Sequence, residues 1–267
     1  MKLTFLGTGT SHGLPYIGCK CPVCVSADPL NKRLRCSVLI EDENTRILVD
    51  TSPDLRQEFL RENISEISAV LWTHTHNDHM IGLDDLRPVT DICGYIPAFA
   101  SAPTMAHLQN IFGYAFVQNR EHAGFPRLSP HTIENRVPFE IEGFRITPIP
   151  ILHGKNEILS FRFDCKGSTL LYATDCSFIP DESWELMQNP DVFIVDALRW
   201  REHPTHFSIE QALEAAEKIG AKKTYFTHIA HDLDHEATNS QLPENVEMAF
   251  DGLKIERPNI ELPNIEV

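Results

Sequence analysis

Ala69-Val70-Leu71-Trp72-Thr73-His74-Thr75-His76-Asn77-Asp78-His79 is the stretch whose reading decides the fold. Five apolar or β-branched residues run straight into three imidazoles and a carboxylate, which reads as a buried strand delivering its last residues into a loop. Neutral imidazole and carboxylate suit zinc, manganese or iron, and such ions need several donors converging on one point. His74 and His76, two residues apart, point the same way from an extended segment, while Asp78 and His79 turn with the chain into a helix expected over 79–87. One metal can take the first pair and a second metal the other. Any one of these histidines alone fits a hydrogen-bonded core or surface position equally well; the whole H-x-H-x-D-H cluster at a strand end is what points to metal.

Outward from this stretch the same device recurs. Phe139 to Pro148 alternates like a strand and leads through Ile149 to Leu152 into His153. Ser160 to Cys165 and Thr169 to Ala173 read as paired strands around Lys166-Gly167-Ser168, the second ending in Thr174-Asp175. Val192-Phe193-Ile194-Val195 runs into Asp196, and Lys223 to Thr227 into His228. Ser208 to Ile219 is an amphipathic helix, with Ser208 as cap and Gly220 as stop. Ligands in layered α/β proteins collect beyond strand ends, so His74, His153, Asp175 and His228 can converge although far apart in sequence. Together with His76, Asp78 and His79 they provide seven donors, enough for two metals with one bridging carboxylate.

On the amino-terminal side, Lys2 to Leu6 reads as a strand, and Gly7-Thr8-Gly9-Thr10-Ser11-His12-Gly13 bends after it, glycine tolerating the positive φ of a backbone that approaches a ligand closely. The loop lacks the spacing of a dinucleotide site. Cys19, Cys21 and Cys24 follow, three thiols within six residues that can reach one tetrahedral ion given a distant fourth ligand. Cys36, Cys93, Cys165 and Cys176 sit in or beside apolar patterns and read as small buried hydrophobes. Ser37 to Ile40 and Arg46 to Asp50 read as a hairpin, and a helix follows with Ser52 as cap and Pro53 in its first turn. Asp50 ends its strand near the metal loop, where it either supports a ligand or serves a turn. A strand over 95–100 and a helix over 103–112 precede Gly113 to Arg136, an irregular stretch that reads as a surface insertion or as a loop over a cleft.

At 267 residues the chain is long enough for one large domain over its whole length. A net charge of −15 and a pI near 5.2 argue against a nucleic-acid partner, while leaving a small anionic substrate open because divalent cations reverse the local sign. No signal peptide or membrane span is legible, and seven cysteines fit reduced thiols, so the expected location is cytoplasmic, with no membrane partner and with a homodimer left open.

The ordered set His74-x-His76-x-Asp78-His79, His153, Asp175 and His228 resembles the five metal-binding motifs of the metallo-β-lactamase superfamily over essentially the whole chain. The resemblance implies an α/β fold, a four-layer αββα sandwich. It implies that His74, His76 and His153 hold one metal, that Asp78, His79 and His228 hold a second, and that Asp175 bridges them. The Phe5 to Gly13 stretch followed by the three cysteines is similar to the phosphodiesterase branch that includes the phosphoribosyl cyclic phosphodiesterase and, more distantly, ribonuclease Z. That likeness implies a structural zinc held by Cys19, Cys21, Cys24 and His231, with His235 a competing fourth ligand. It also implies a leaving-group acid at His206, with His203 the weaker rival, and makes His206 and Asp78 the catalytic residues. The expected activity is hydrolysis of a small or cyclic phosphodiester by a hydroxide bridging two active-site ions, zinc or manganese. Thioester or other carbonyl hydrolysis, or a non-catalytic metal-bearing role in cofactor biosynthesis, are the alternatives.

Overall fold

The computed structural model describes residues 1–117 and 124–256. One sheet contains β1 (Lys2–Gly7), β2 (Ser37–Asp42), β3 (Thr45–Val49), β4 (Ala69–Leu71), β5 (Ile96–Ser101) and β6 (Leu128–Ile133), side by side in that order. The other contains β7 (Phe139–Ile141), β8 (Phe144–His153), β9 (Asn156–Cys165), β10 (Ser168–Ala173), β11 (Val192–Asp196), β12 (Lys223–Thr227) and β13 (Val246–Met248). A last strand, β14 (Lys254–Glu256), returns to pair with β1. Both sheets are mixed. In the first, β3 to β6 run parallel and β14 to β3 antiparallel; in the second, β10 to β13 run parallel and β7 to β10 antiparallel.

The apolar runs are continuous because the central strands are covered on both faces. With a side-chain period of two, Ala69 and Leu71 enter the core between the sheets while Val70 and Trp72 face the helices outside. On the second sheet Val192 and Ile194 point inward, and Phe193 and Val195 point outward. The inner core joins both sheets through Phe5, Val38, Phe144, Phe161 and Tyr172. Helices Leu55–Glu62 and Ala102–Ile111 cover the first sheet, and Asp181–Met187 and Ile209–Ile219 cover the second. The result is the four-layer αββα sandwich. Among the described residues no helix is long and apolar enough to cross a membrane.

Several local expectations change. Ser52 is not the helix cap: the helix starts at Leu55 after Asp54, and the Ser52 hydroxyl is drawn inward to donate to the buried Glu58 carboxylate at 2.7 Å. The helix expected over 79–87 is a short turn at Asn77–Met80, a 3-10 segment at Ile81–Leu86 and a helix at Arg87–Cys93. The alternation of 139–148 hides a turn at Glu142 and Gly143, both with positive φ, which splits it into β7 and β8. β9 begins at Asn156, earlier than expected, because it pairs with β8 as well as with β10. Part of the stretch from 113 to 136 is the regular strand β6, parallel to β5, and 118–123 lies outside the described residues. Cys36, Cys165 and Cys176 are buried, but Cys93 is exposed at the end of its helix.

Gly7 and Gly9 do not take positive φ, whereas Gly13 does. What Gly7 provides is room for another stretch of chain: a Cβ there would lie 1.8 Å from the Arg35 carbonyl oxygen. The loop is thereby held against 33–35 on one side. On the other, Thr10 donates to the Ile229 carbonyl at 3.0 Å and Ile229 to the Thr8 carbonyl at 2.9 Å.

Candidate metal centre

The carboxyl ends of the parallel strands of both sheets lie at one edge of the sandwich. In the second sheet Ala173 pairs with Val195 and Asp196 with Thr227, so the residues that follow β10 and β12 emerge beside Asp196 at nearly one level. In the first sheet the Asp50 amide donates to the Leu71 carbonyl at 2.8 Å, which brings the ends of β3 and β4 together. The Leu159 amide donates to the Thr73 carbonyl at 3.1 Å and ties the two sheets at this edge. Asp50, Asp175 and His228 leave their strands in left-handed backbone, with φ of 64°, 55° and 58°. Each such residue costs about 1–2 kcal/mol, a strain that side-chain contacts at functional sites offset.

Two donor sets form there. One ligand atom from each of His74, His76, His153 and Asp175 lies within 4.8 Å of the others, and the same holds for Asp78, His79, Asp175 and His228. Asp175 belongs to both. Its carboxylate oxygens stand 3.1 Å from His79 Nε2, 3.4 Å from His228 Nε2 and 3.9 Å from His74 Nε2. Asp78 adds an oxygen 3.3 Å from His79 Nε2 and 3.5 Å from His228 Nε2. Of the seven donors in these two sets His76 is exposed and the other six are buried.

The rings are aimed by groups behind them. His79 Nδ1 donates to Asp50 Oδ2 at 2.8 Å; His74 Nδ1 donates to the Thr73 hydroxyl at 2.9 Å, and that hydroxyl donates to the same Asp50 oxygen at 2.8 Å. Asp50 thus fixes both imidazoles as tautomers with Nε2 free, the arrangement that orients metal-binding histidines. His153 Nδ1 donates to the Thr205 carbonyl at 2.6 Å, which frees its Nε2 likewise. The His153 turn approaches this loop because position 154 is glycine: φ is +62°, and a Cβ would meet Thr205 Cγ2 at 2.9 Å.

Divalent ions fit these donors. The Nε2 atoms of His74, His79 and His228 are buried without a hydrogen-bond partner, and carboxylate oxygens face them. Buried polar atoms in native folds have partners, so orphans converging on carboxylates are what a metal would satisfy. Burial opposes charge at His79, yet Asp175, Asp78 and Asp50 around it push its imidazole well above the ordinary range. The site demands positive charge. Burial holds His74 well below that range and lowers His76 and His153, which leaves them neutral and ready to donate.

Beside the donors stands His206, whose Nδ1 donates to Asp196 Oδ2 at 2.6 Å and whose ring stacks on His228 at 4.7 Å. Burial raises the Asp196 carboxyl well above its usual range and lowers the His206 imidazole. His203 lies farther out, its Nδ1 3.1 Å from the Thr205 hydroxyl. A polar cavity of about 360 Å³ opens onto Asp78, Asp175, His153, His206 and His228, with Ser11 and Lys155 at its rim. Sequence reasoning missed the part played by Asp196 and left that of Asp50 undecided. Their shared signal is a carboxylate closing a run of β-strand apolar residues.

A separate thiol cluster sits behind the Ser11 loop. His231 Nδ1 lies 3.3, 3.5 and 3.6 Å from the sulfurs of Cys19, Cys21 and Cys24. Tetrahedral bonds of ~2.3 Å to sulfur and ~2.0–2.1 Å to nitrogen separate S and N by about 3.5 Å, so the cage matches zinc. The Cys24 amide donating to its sulfur pulls the Cys21 thiol down to about 6, while burial pushes Cys24 up to about 11. His235 is drawn elsewhere, its Nδ1 accepting from the buried Arg33 guanidinium at 3.0 Å.

Comparisons with known proteins bear on the fold and the family. An octanoyltransferase of Porphyromonas gingivalis is 34% identical over 273 residues, spanning 100% of this chain but 54% of that protein, so the chain covers about half the length of this relative. The crystal structure of a new diphosphatase from the PhnP family superposes with a TM-score of 0.87 at 42% identity, covering 95% of this chain and 96% of that one. Zinc-bound PqqB from Methylobacterium extorquens shares the fold, with a TM-score of 0.81 at 18% identity over 96% of this chain and 100% of that one. A family model described as a beta-lactamase superfamily domain matches residues 45–229, well over half of the chain, and with it the protein belongs to the metallo-β-lactamase superfamily.

Proposed function

We propose that the protein is a binuclear metal-dependent hydrolase of small phosphoric esters, cleaving a P–O bond in a small or cyclic phosphodiester. The observation that carries this reading is the sharing of Asp175 between two donor sets, with the Asp196-held His206 on their open side. The 42% identity with a diphosphatase over nearly the full length of both chains supports P–O chemistry. His74, His76, His153 and Asp175 would hold one ion, and Asp78, His79, His228 and Asp175 the other; zinc and manganese both suit such donors. Two bound divalent ions supply an acidified water nucleophile and charge neutralisation at phosphorus.

The chain's own residues do the rest. Asp50 holds the His74 and His79 rings, and the Thr205 carbonyl holds His153, so the donors need no reorganisation. Asp196 fixes His206 through Nδ1, and its carboxylate would stabilise the imidazolium form whose Nε2 proton goes to the departing alkoxide. The net charge of −15 opposes a polynucleotide and favours a small substrate.

The octanoyltransferase relative supports a second reading, hydrolysis of an acyl ester or thioester on the same centre, although that protein extends over nearly twice the length matched here. A panel of bis(p-nitrophenyl) phosphate, cyclic nucleotides, a thioester and a β-lactam, run on protein of measured metal content, decides between them. Turnover of the phosphodiesters is expected, and turnover confined to the carbonyl substrates would reject the phosphoryl reading. Inactivity of metal-loaded protein on every ester would favour a binding role.

For the thiol cluster we propose a structural zinc on Cys19, Cys21, Cys24 and His231. A closed four-ligand site offers no open position, so this zinc should outlast mild chelation that empties the hydrolytic centre. Cys21→Ser is expected to lower Tm more than it lowers the rate per folded, metal-loaded molecule. Untreated protein with no cysteine-bound zinc by X-ray absorption would refute the assignment.

A further inference from the structure

A second, wider groove of about 860 Å³ meets the catalytic cavity at His76, His153 and Asn156. It lies beyond the carboxyl ends of β5 and β6, walled by Ser101, Thr132 and Ile133 from the first sheet and by Glu157 and Ile158 at the start of β9. Its volume suits a ligand arm of nucleoside size, within the 300–1,000 Å³ usual for small-molecule sites. The two spaces differ in charge. Among the described residues Lys155 is the only lysine or arginine lining either of them, and it belongs to the catalytic cavity. Besides the metal donors, the wide groove carries Glu134, Glu157 and His107, hydroxyls and apolar surface, and Asn135 Nδ2 donates to Glu157 Oε1 at 2.7 Å.

We propose that this groove is the subsite for the substrate's non-reacting arm, and that the arm is uncharged and hydroxyl-bearing, of the size and polarity of a nucleoside. The inference rests on the phosphoryl reading above. A phosphoryl group belongs with the divalent ions and Lys155. Hydroxyls of the arm can donate to Glu134 and Glu157, its flat or apolar parts lie on Ile133 and Ile158, and a further phosphate on the arm would face the Glu134 and Glu157 carboxylates with no lysine or arginine among the described lining residues to offset them.

Calorimetric titration of metal-loaded protein with inorganic phosphate, thymidine 5′-phosphate and thymidine 3′,5′-bisphosphate tests this. Thymidine 5′-phosphate should bind at least about tenfold more tightly than phosphate, the gain expected from a seated arm. The added 3′-phosphate should weaken binding about three- to tenfold at low salt, and the penalty should fade as salt rises. Thr132→Trp, which fills the groove from an exposed strand position, should erase the thymidine advantage; Glu157→Lys should reverse the order of the two nucleotides. Equal affinity for phosphate and thymidine 5′-phosphate, or tighter binding of the bisphosphate by the unmodified protein, would overturn the subsite alone. Failure of phosphate itself to bind would overturn the phosphoryl reading and the subsite with it.

Discussion

Replacing Asp175 with alanine is expected to remove at least one active-site metal and to lower turnover by about four orders of magnitude while the sandwich persists. No other side chain belongs to both donor sets among the described residues. Its two oxygens face His74, His79 and His228, and burial is outweighed by the His228 and His79 imidazoles, which hold its carboxyl well below the usual range. Losing it leaves those imidazoles without their shared anion. Asp175→Asn is the informative companion: it keeps the volume and one acceptor oxygen but not the charge, so metal should still be lost. Metal analysis by mass spectrometry, circular dichroism and a phosphodiesterase assay on the same samples check this. Full occupancy with normal turnover would show that the two donor sets do not work through Asp175.

His206→Ala should leave metal content intact and cut hydrolysis of an alkyl or cyclic nucleotide ester about 10²–10⁴-fold, the range of general acid catalysis. Hydrolysis of bis(p-nitrophenyl) phosphate should fall far less, because p-nitrophenolate departs without a proton. The contrast between substrates is the diagnostic. If His206 clamps the phosphate instead, both substrates suffer alike and mainly through KM. Asp196→Asn should reproduce the same leaving-group dependence more weakly, since it keeps a partner at Nδ1 but removes the carboxylate that stabilises the protonated ring. An unchanged rate for the alkyl ester in His206→Ala would remove the acid role.

The sequence was legible where local pattern and global fold agree. Val70 and Trp72 on one face and Ala69 and Leu71 on the other made β4 a strand covered on both sides, and the polar cluster straight after it had to lie at a sheet edge. Ser208 and Gln211 close a capping box, and Gly220 takes the left-handed C-cap, so the helix over 209–219 has the ends its residues imply. Local pattern failed where backbone turns interrupt an alternation. At Glu142-Gly143 the alternation slips by one position, from Phe139 and Ile141 to Phe144 and Ile146, a shift easily read through as one strand, and the helix after Ser52 starts late because that hydroxyl serves Glu58 rather than a helix terminus.

The sequence by itself determined the strands that end in donors, the donor types at those ends and, through the order of those donors, the resemblance to the superfamily. Only the tertiary structure decided which groups hold the donors and what surrounds them: Asp50 behind His74 and His79, Asp196 behind His206, the Thr205 carbonyl behind His153, and His231 rather than His235 beside the thiols. The wide groove is of the same kind, since its walls come from strands of different sheets. The physical reason is that hydrophobic period and turn chemistry act over a few neighbouring residues, whereas a hydrogen bond between Asp50 and His79 exists only once strand register and sheet packing have set two distant backbones within 3 Å of reach.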